Sequence, residues 1–311
     1  MDWTDRHCRY FLRQVSSRAR LYTEMITTGA LIHGDVERHL GFSREEHPVA
    51  VQLGGSDPEE LARCAALAQR YGYDEINLNI GCPSERVQKG AFGACLMAEP
   101  QLVASCVDAI RQEVKIPVTV KHRIGIDRVE EYEFVRDFVA TVSQAGCRTF
   151  IVHARNAVLK GLSPKENREI PPLKYDYVYR LKAEFPQLEI VINGGIGTWA
   201  EITRHLAYVD GVMLGRAAYH NPWLLADAGR TRPAVVRAMY EYAKGAESIR
   251  HVTRHMLGLY HGHGKARLWR RMLSDSERLK PNRPELLLEA LEAVEAPGYR
   301  EFTPLAKMAA P

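Results

Sequence analysis

Short apolar runs bounded by turn residues recur along the first two-thirds of the chain. Seven of them read as strands: residues 19–23, 49–53, 75–79, 117–121, 149–153, 189–193 and 211–214. Stretches with helical spacing lie between most of them. Ser56-Asp57-Pro58-Glu59-Glu60 opens one such stretch with a capping side chain, a proline in the first turn and early acids. Alternating strand and helix predicts a parallel sheet covered by helices, an α/β architecture. Seven strands in this span fit an eight-stranded (β/α) barrel better than an open sheet, because such barrels need about 250 residues. The barrel's first strand is missing from the pattern. The chain opens at Met1-Asp2-Trp3-Thr4-Asp5, already turn-like, and passes into an amphipathic helix over residues 7–15. The first strand is therefore expected upstream of Met1, with the start truncated.

Beyond Arg230 the alternation stops. Residues 232–242, 248–259, 266–273 and 284–295 read as short helices, together a small bundle. The expected division is a barrel over residues 1–230 and a helical domain over 231–311, ending in a flexible tail.

Several predicted strands end in polar residues that a sealed core would not want. These are Gln52, Asn79 with Cys82, Lys121 with Arg123, His153 with Arg155, and Asn193-Gly194-Gly195. They recur at the C-terminal ends of five strands, the face on which barrels carry their chemistry. Taken singly, each is more simply a satisfied buried polar group; five at equivalent ends favour a site. The run 75–80 ends in Gly81-Cys82-Pro83-Ser84, so a thiol leaves a buried strand in a turn. A lone buried cysteine is more often packing than chemistry. Cys95, after glycine and alanine in a helix-like stretch, takes the packing role here. Asn193-Gly194-Gly195 and Gly215-Arg216 follow the last two strands, where barrels often hold a phosphate on backbone amides; Arg216 adds a charged fork. No G-x-G-x-x-G occurs, which argues against a Rossmann domain.

Composition narrows the class. The chain has 311 residues, 46% of them hydrophobic, enough for one large domain and a small one. Its six cysteines form no C-x-x-C pair, and no Cys/His spacing suits zinc, so no metal site is expected. With no signal peptide and no apolar run of membrane length, a cytoplasmic location with reduced thiols is expected. The net charge of +4 is unevenly placed: residues 232–311 carry a balance of +5 and the rest −1. A basic patch on a near-neutral body suggests a polyanionic partner. Residues 248–274 hold no acid but contain Arg250, Arg254, Lys265, Arg267, Arg270 and Arg271, with Tyr260 and Trp269 among them. Basic residues interleaved with aromatic ones suit an RNA backbone and exposed bases. The simpler alternative is a solvated helix face, although such faces usually mix signs.

These motifs resemble the tRNA-dihydrouridine synthases, in particular their A subfamily. Asn77-Leu78-Asn79-Ile80-Gly81-Cys82-Pro83-Ser84 followed by Gly90-Ala91-Phe92-Gly93-Ala94-Cys95-Leu96 is similar to the family's core motif. Met1-Asp2-Trp3-Thr4-Asp5-Arg6, Lys121-His122-Arg123, Val152-His153-Ala154-Arg155, Asn193-Gly194-Gly195 and Gly211-Val212-Met213-Leu214-Gly215-Arg216 match in order. Asn167-Arg168-Glu169-Ile170-Pro171-Pro172-Leu173 and Arg267-Leu268-Trp269-Arg270-Arg271 resemble the A subfamily specifically.

The resemblance implies an FMN-dependent barrel with a helical tRNA-binding domain, acting as a monomer. Its reaction would be reduction of uridine to dihydrouridine in the tRNA D-loop near position 20/20a, with NADPH as electron source. It implies hydride delivery from reduced flavin to carbon 6 of uracil and protonation of carbon 5 by Cys82. Flavin contacts would come from Met1, Gln52, Lys121, His153, Asn193, Gly194, Gly195, Gly215 and Arg216. Asn79 would orient the uracil, and Arg86, Lys165, Arg168, Arg267, Arg270 and Arg271 would meet the tRNA. One departure stands out: the family's Ala-Pro-Met lines the flavin site, and only Met1 remains of it here. Two other readings are a dihydroorotate-dehydrogenase-like enzyme on a free pyrimidine, which would need no basic tail, and a non-catalytic tRNA-binding protein, which would need no thiol at a strand end.

Overall fold

The computed structural model describes residues 3–129 and 131–296; the side chains of Arg86 and Lys89 lie outside the description. Met1, expected at the flavin, and residues 297–311, at the end where a flexible tail is expected, therefore fall outside the described residues, as does the Arg86 side chain.

Seven strands form one parallel sheet in sequence order: β1 (Leu21–Thr27), β2 (Val49–Gly54), β3 (Glu75–Ile80), β4 (Val118–Arg123), β5 (Thr149–His153), β6 (Glu189–Asn193) and β7 (Gly211–Met213). Strand follows helix as the pattern requires. Asp57 caps the helix Pro58–Tyr71, its carboxylate accepting from Glu60 N, and Gly72 at φ 97° ends it in the left-handed conformation. The sheet is a curled, barrel-type α/β sheet whose seven strands correspond to the seven apolar runs read from the sequence. Among the described residues β1 pairs only with β2, and β7 only with β6.

The register sorts the side chains. Gln52 lies opposite Asn77, Asn77 opposite Thr119, and Asn79 opposite Lys121. Because strand side chains alternate, one face carries Glu75, Asn77, Asn79, Thr119, Lys121, Arg123, His153 and Asn193. The other carries Ile76, Leu78, Ile80, Val118, Val120, Phe150, Val152, Ile190 and Ile192, all buried. Each aliphatic side chain removed from water there contributes about 1.5–3 kcal/mol. The helices Pro58–Tyr71, Pro100–Glu113 and Tyr132–Gln144 supply the matching apolar faces: Leu61 and Ala65, Val103 and Val107, Val135 and Phe138. The hydrophobic face thus holds the sheet, which leaves the polar face for chemistry.

The chain divides into two compact units. One comprises Arg18–Ala217 with the residues up to Arg9; the other comprises Tyr10–Ser17 with the chain from Ala218 onward. In the second unit Tyr10 stacks on Tyr242 at 3.9 Å between ring centroids, and Phe11, Leu12 and Val15 are buried. Its helices are Arg232–Ala243, Ile249–Met256, Ala266–Ser274, Ser276–Leu279 and Leu286–Glu295.

Candidate active site

The turn after β3 is built by Asn79. Its Oδ1 accepts from Gly81 N at 3.1 Å and Cys82 N at 3.0 Å, so the side chain closes the turn on its own backbone. Three further bonds hold the turn. Ala94 N donates to Cys82 O at 3.0 Å, Arg123 Nε donates to Gly81 O at 3.2 Å, and Gln88 Nε2 donates to Pro83 O at 2.7 Å. Gly93 makes the first of these possible. Its φ is +77°, and a Cβ there would stand 2.6 Å from Cys82 O. Cys82 ends up half-buried, with Sγ 3.6 Å from Ser84 Oγ. Cys95 Sγ, by contrast, donates to Phe92 O at 3.1 Å, and burial pushes its pKa up. Burial likewise pushes the Cys64 thiol up to about 11, and Cys106 and Cys147 to about 12. Their backbone-carbonyl acceptors and burial make these four, Cys64, Cys95, Cys106 and Cys147, inert packing thiols.

A cluster of cations faces Cys82. Lys121 Nζ donates to Asn193 Oδ1 at 3.2 Å, and Asn193 Nδ2 donates to Met213 O at 2.8 Å. Burial, with Arg123 adding, pushes the Lys121 ammonium down to about 8, and the nearby Cys82 works in the opposite direction. Arg123 is buried, and burial lowers it to about 10. Its guanidinium joins three loops, because besides Gly81 O it donates to Asn156 O at 3.2 Å and Asn167 O at 2.9 Å. Burial first, then Arg123, Lys121, Arg155 and Arg168, hold His153 well below its usual pKa, so the imidazole is neutral. Gly194, at φ +115°, lies close against it: a Cβ there would stand 2.6 Å from His153 Cδ2. Tyr175 OH donates to Gly194 O at 2.7 Å and fixes the loop. A Cβ on Gly215 would meet nothing within 4 Å, so this loop faces open space.

Several expected residues are thus brought together: Gln52, Asn79, Cys82, Lys121, His153, Asn193 and Gly194. Gln52 Oε1 accepts from Asn79 Nδ2 at 2.7 Å. Arg216 is engaged within its own unit, paired with Glu169 Oε1 at 2.6 Å and donating to Arg168 O at 3.2 Å. Lys165 and Arg168 are exposed. Asn167 between them is buried and holds the loop, its Oδ1 accepting from Val158 N at 2.7 Å.

The helical unit corrects one expectation. Tyr260 and Trp269, read as stacking platforms for bases, are core residues at 1% and 0% exposure. Their rings meet at 4.8 Å, Trp269 Nε1 donates to Met256 O at 2.8 Å, and Tyr260 OH donates to Glu295 Oε1 at 2.7 Å. Both polar tips are satisfied inside, so neither ring is presented to a nucleic acid. Lys265 is also structural, donating to Ala293 O and Ala296 O at the C-terminus of Leu286–Glu295. Arg267, Arg270 and Arg271 are exposed on the helix Ala266–Ser274, whose buried side is Trp269, Met272 and Leu273.

Sequence reasoning passed over Asn77, Thr119, Glu75 and Gln88. The available signal was register: Asn77 falls two residues from Asn79 and shares its face. Among the described residues no group of three His, Cys, Asp or Glu side chains could hold a metal ion, and no helix is long and apolar enough to cross a membrane.

The family model for dihydrouridine synthase matches residues 1–295. A tRNA-dihydrouridine(20/20a) synthase of Synechocystis is 56% identical over 314 aligned positions, covering 96% of this chain and 93% of the relative. The enzyme of the same name from Shewanella oneidensis is 57% identical over 290, covering 89% and 86%. Among solved structures, a 2-naphthoyl-CoA reductase in complex with 2-naphthoyl-CoA aligns with a TM-score of 0.52 at 10% identity. That match spans 72% of this chain and 46% of the reductase, and it supports the fold alone.

Proposed function

This chain belongs to the dihydrouridine synthase family, and on that premise we propose that it reduces a uridine at position 20 or 20a of tRNA to 5,6-dihydrouridine, using FMN and NADPH. The observation that carries the proposal is the half-buried Cys82 thiol, held in a braced turn at the C-terminal end of β3 beside a cluster of cations.

The residues at the strand ends fit a flavin. Gln52, Lys121, His153 and Asn193 offer amide, ammonium and imidazole groups and no carboxylate. These suit the electron-rich pyrimidine edge of an isoalloxazine, and the Lys121 charge would stabilise negative charge on it. Gly194, Gly195, Gly215 and Arg216 would receive the phosphate, with Arg216 exchanging Glu169 for it. Bound FMN would supply the hydride that saturates carbon 6 of uracil. Cys82 gives its Sγ proton to carbon 5, which completes the addition across the double bond. A half-buried thiol can then regain its proton from solvent. Asn79 has Oδ1 committed to the turn and one Nδ2 hydrogen committed to Gln52. Its second Nδ2 hydrogen is the one available to a uracil carbonyl. Lys165, Arg168, Arg267, Arg270 and Arg271 are the proposed phosphate contacts. The base must leave its stack to reach the thiol.

Incubating tRNA from cells that lack dihydrouridine with the protein, FMN and NADPH tests the proposal. The expected result is a gain of two hydrogens at position 20 or 20a, found by fragment mass analysis. Oxidation or reduction of a free pyrimidine with tRNA left unchanged would overturn it in favour of a dihydroorotate-dehydrogenase-like reaction.

A further inference from the structure

A line of hydrogen bonds runs up the polar face of the sheet from the start of β3 to the Cys82 turn. Glu75 is buried and accepts from Arg20, from Tyr22 OH at 3.2 Å and from Thr119 Oγ1 at 2.7 Å. Thr119 Oγ1 accepts from Asn77 Nδ2 at 2.8 Å. Asn77 Oδ1 accepts from Gln52 Nε2 at 2.8 Å, and Gln52 Oε1 accepts from Asn79 Nδ2 at 2.7 Å. Asn79 Oδ1 then takes the backbone N–H groups of Gly81 and Cys82. Asn77 and Thr119 are 0% and 1% exposed.

The line has one permitted direction. A backbone N–H can only donate, so Asn79 must present its oxygen to the turn and its nitrogen to Gln52. Gln52 must then offer oxygen upward and nitrogen to Asn77, and Asn77 must offer nitrogen to Thr119. The Thr119 hydroxyl must send its hydrogen onward, to the Glu75 carboxylate. The carbonyl of Ile76, at 3.5 Å, is also an acceptor and leaves the direction unchanged. A carboxylate held by a guanidinium at one end and two backbone donors at the other therefore set three side-chain amides in between. Reversing any amide would face donor with donor along this line, which is part-buried at Gln52 and Asn79 and fully buried at Asn77.

We infer that Thr119, Asn77 and Glu75 are positioning residues for the reaction: they hold the Asn79 amide in the orientation that shapes the Cys82 turn. The inference rests on the proposed role of Cys82 but acts through Asn79, so the two can fail separately.

Thr119→Val keeps the shape and removes the hydroxyl; Thr119→Ser restores it. In Thr119→Val, hydrogen exchange at the Gly81 and Cys82 amides should quicken by about fivefold, the loss of one hydrogen bond's worth of protection. The turnover number on tRNA should fall about tenfold through misplacement of the thiol, with KM for tRNA within about twofold. Thr119→Ser should behave as wild type in all three. Placed on Cys82→Ala, Thr119→Val should cause no further loss of turnover, because the group it positions is gone. Should Thr119→Val not fold, Glu75→Gln carries the same readouts, since its amide can donate and so frees the direction. Protected amides, or quickened exchange with unchanged turnover, would overturn the positioning role while an inactive Cys82→Ala keeps the acid assignment. Quickened exchange with Cys82→Ala fully active would leave the hydrogen-bonded line standing and remove the acid assignment.

Discussion

Lys121 carries its charge in surroundings that resist it. Burial and Arg123 bring its pKa from 10.5 down to about 8, and its hydrogen bond goes to the neutral Asn193. The protonated form is the one that can stabilise an anionic ring, so turnover should fall as pH rises through about 8. Lys121→Arg keeps its charge across that range and should move the alkaline limb upward. An identical limb in both proteins would assign it to another group. Lys121 and Cys82 stood out in the sequence because polar residues recur at the ends of five apolar runs, a recurrence that packing of single residues does not explain. Asn77 and Thr119 did not, since the bonds that give them meaning join residues 25 and 42 apart. Trp269 shows the opposite case. Its spacing to Met272 and Leu273 already marked a buried helical face, and that periodicity outranks its basic neighbours.

At the scale of elements, β5 and β6 match the apolar runs to the residue, and β4 extends two residues past its run, through Arg123. β1 extends to Thr27, beyond the run ending at residue 23, because its register shifts between Tyr22 and Met25 and blurs the alternation. His122 on the helix-facing side of β4 shows what that packing demands. It lies 5.0 Å from the Phe138 ring and 5.8 Å from Phe150, and burial lowers its pKa to about 4. The unfolded chain binds this proton near pH 6.5. The native state refuses it down to about pH 4. Stability from this group is therefore complete above about 6.5 and drains as pH falls, at up to about 1.4 kcal/mol per pH unit. His153, also depressed, adds to the same slope. Urea unfolding at stepped pH should show the slope in the wild type and a shallower one in His122→Phe. Equal slopes would mean that His122 takes up its proton while folded.

For the molecule as a whole, charge is divided as the chain is. The positive balance lies in the C-terminal stretch, and the exposed Arg267, Arg270 and Arg271 sit three and four apart on one helix, where like charges repel by a few tenths of a kcal/mol. A fold gains nothing from that arrangement, whereas a phosphate backbone does. Changing all three to glutamate should weaken tRNA binding and lower the slope of log affinity against log salt by up to about 3, if each meets one phosphate. Reduction of added FMN by NADPH, a step of the proposed function, should be unaffected. Binding curves across a salt series compare the two proteins, and equal affinities with equal slopes would make the basic run a solvated face. The seven-strand alternation and the helical stretch after it were readable from periodicity. The assignment of Tyr10–Ser17 to the second unit was not, because an amphipathic helix shows that it has an apolar face without showing what covers it.

The central claim is that Cys82 is the proton donor, and single-turnover reduction of tRNA tests it most directly. Enzyme reduced beforehand is mixed with unmodified tRNA and dihydrouridine is followed in time, for wild type, Cys82→Ala and Cys95→Ala. A general acid typically contributes about 10²–10⁴-fold, so Cys82→Ala should be slower by that factor while Cys95→Ala stays within a few-fold of wild type. Near-normal product formation by Cys82→Ala would contradict the account.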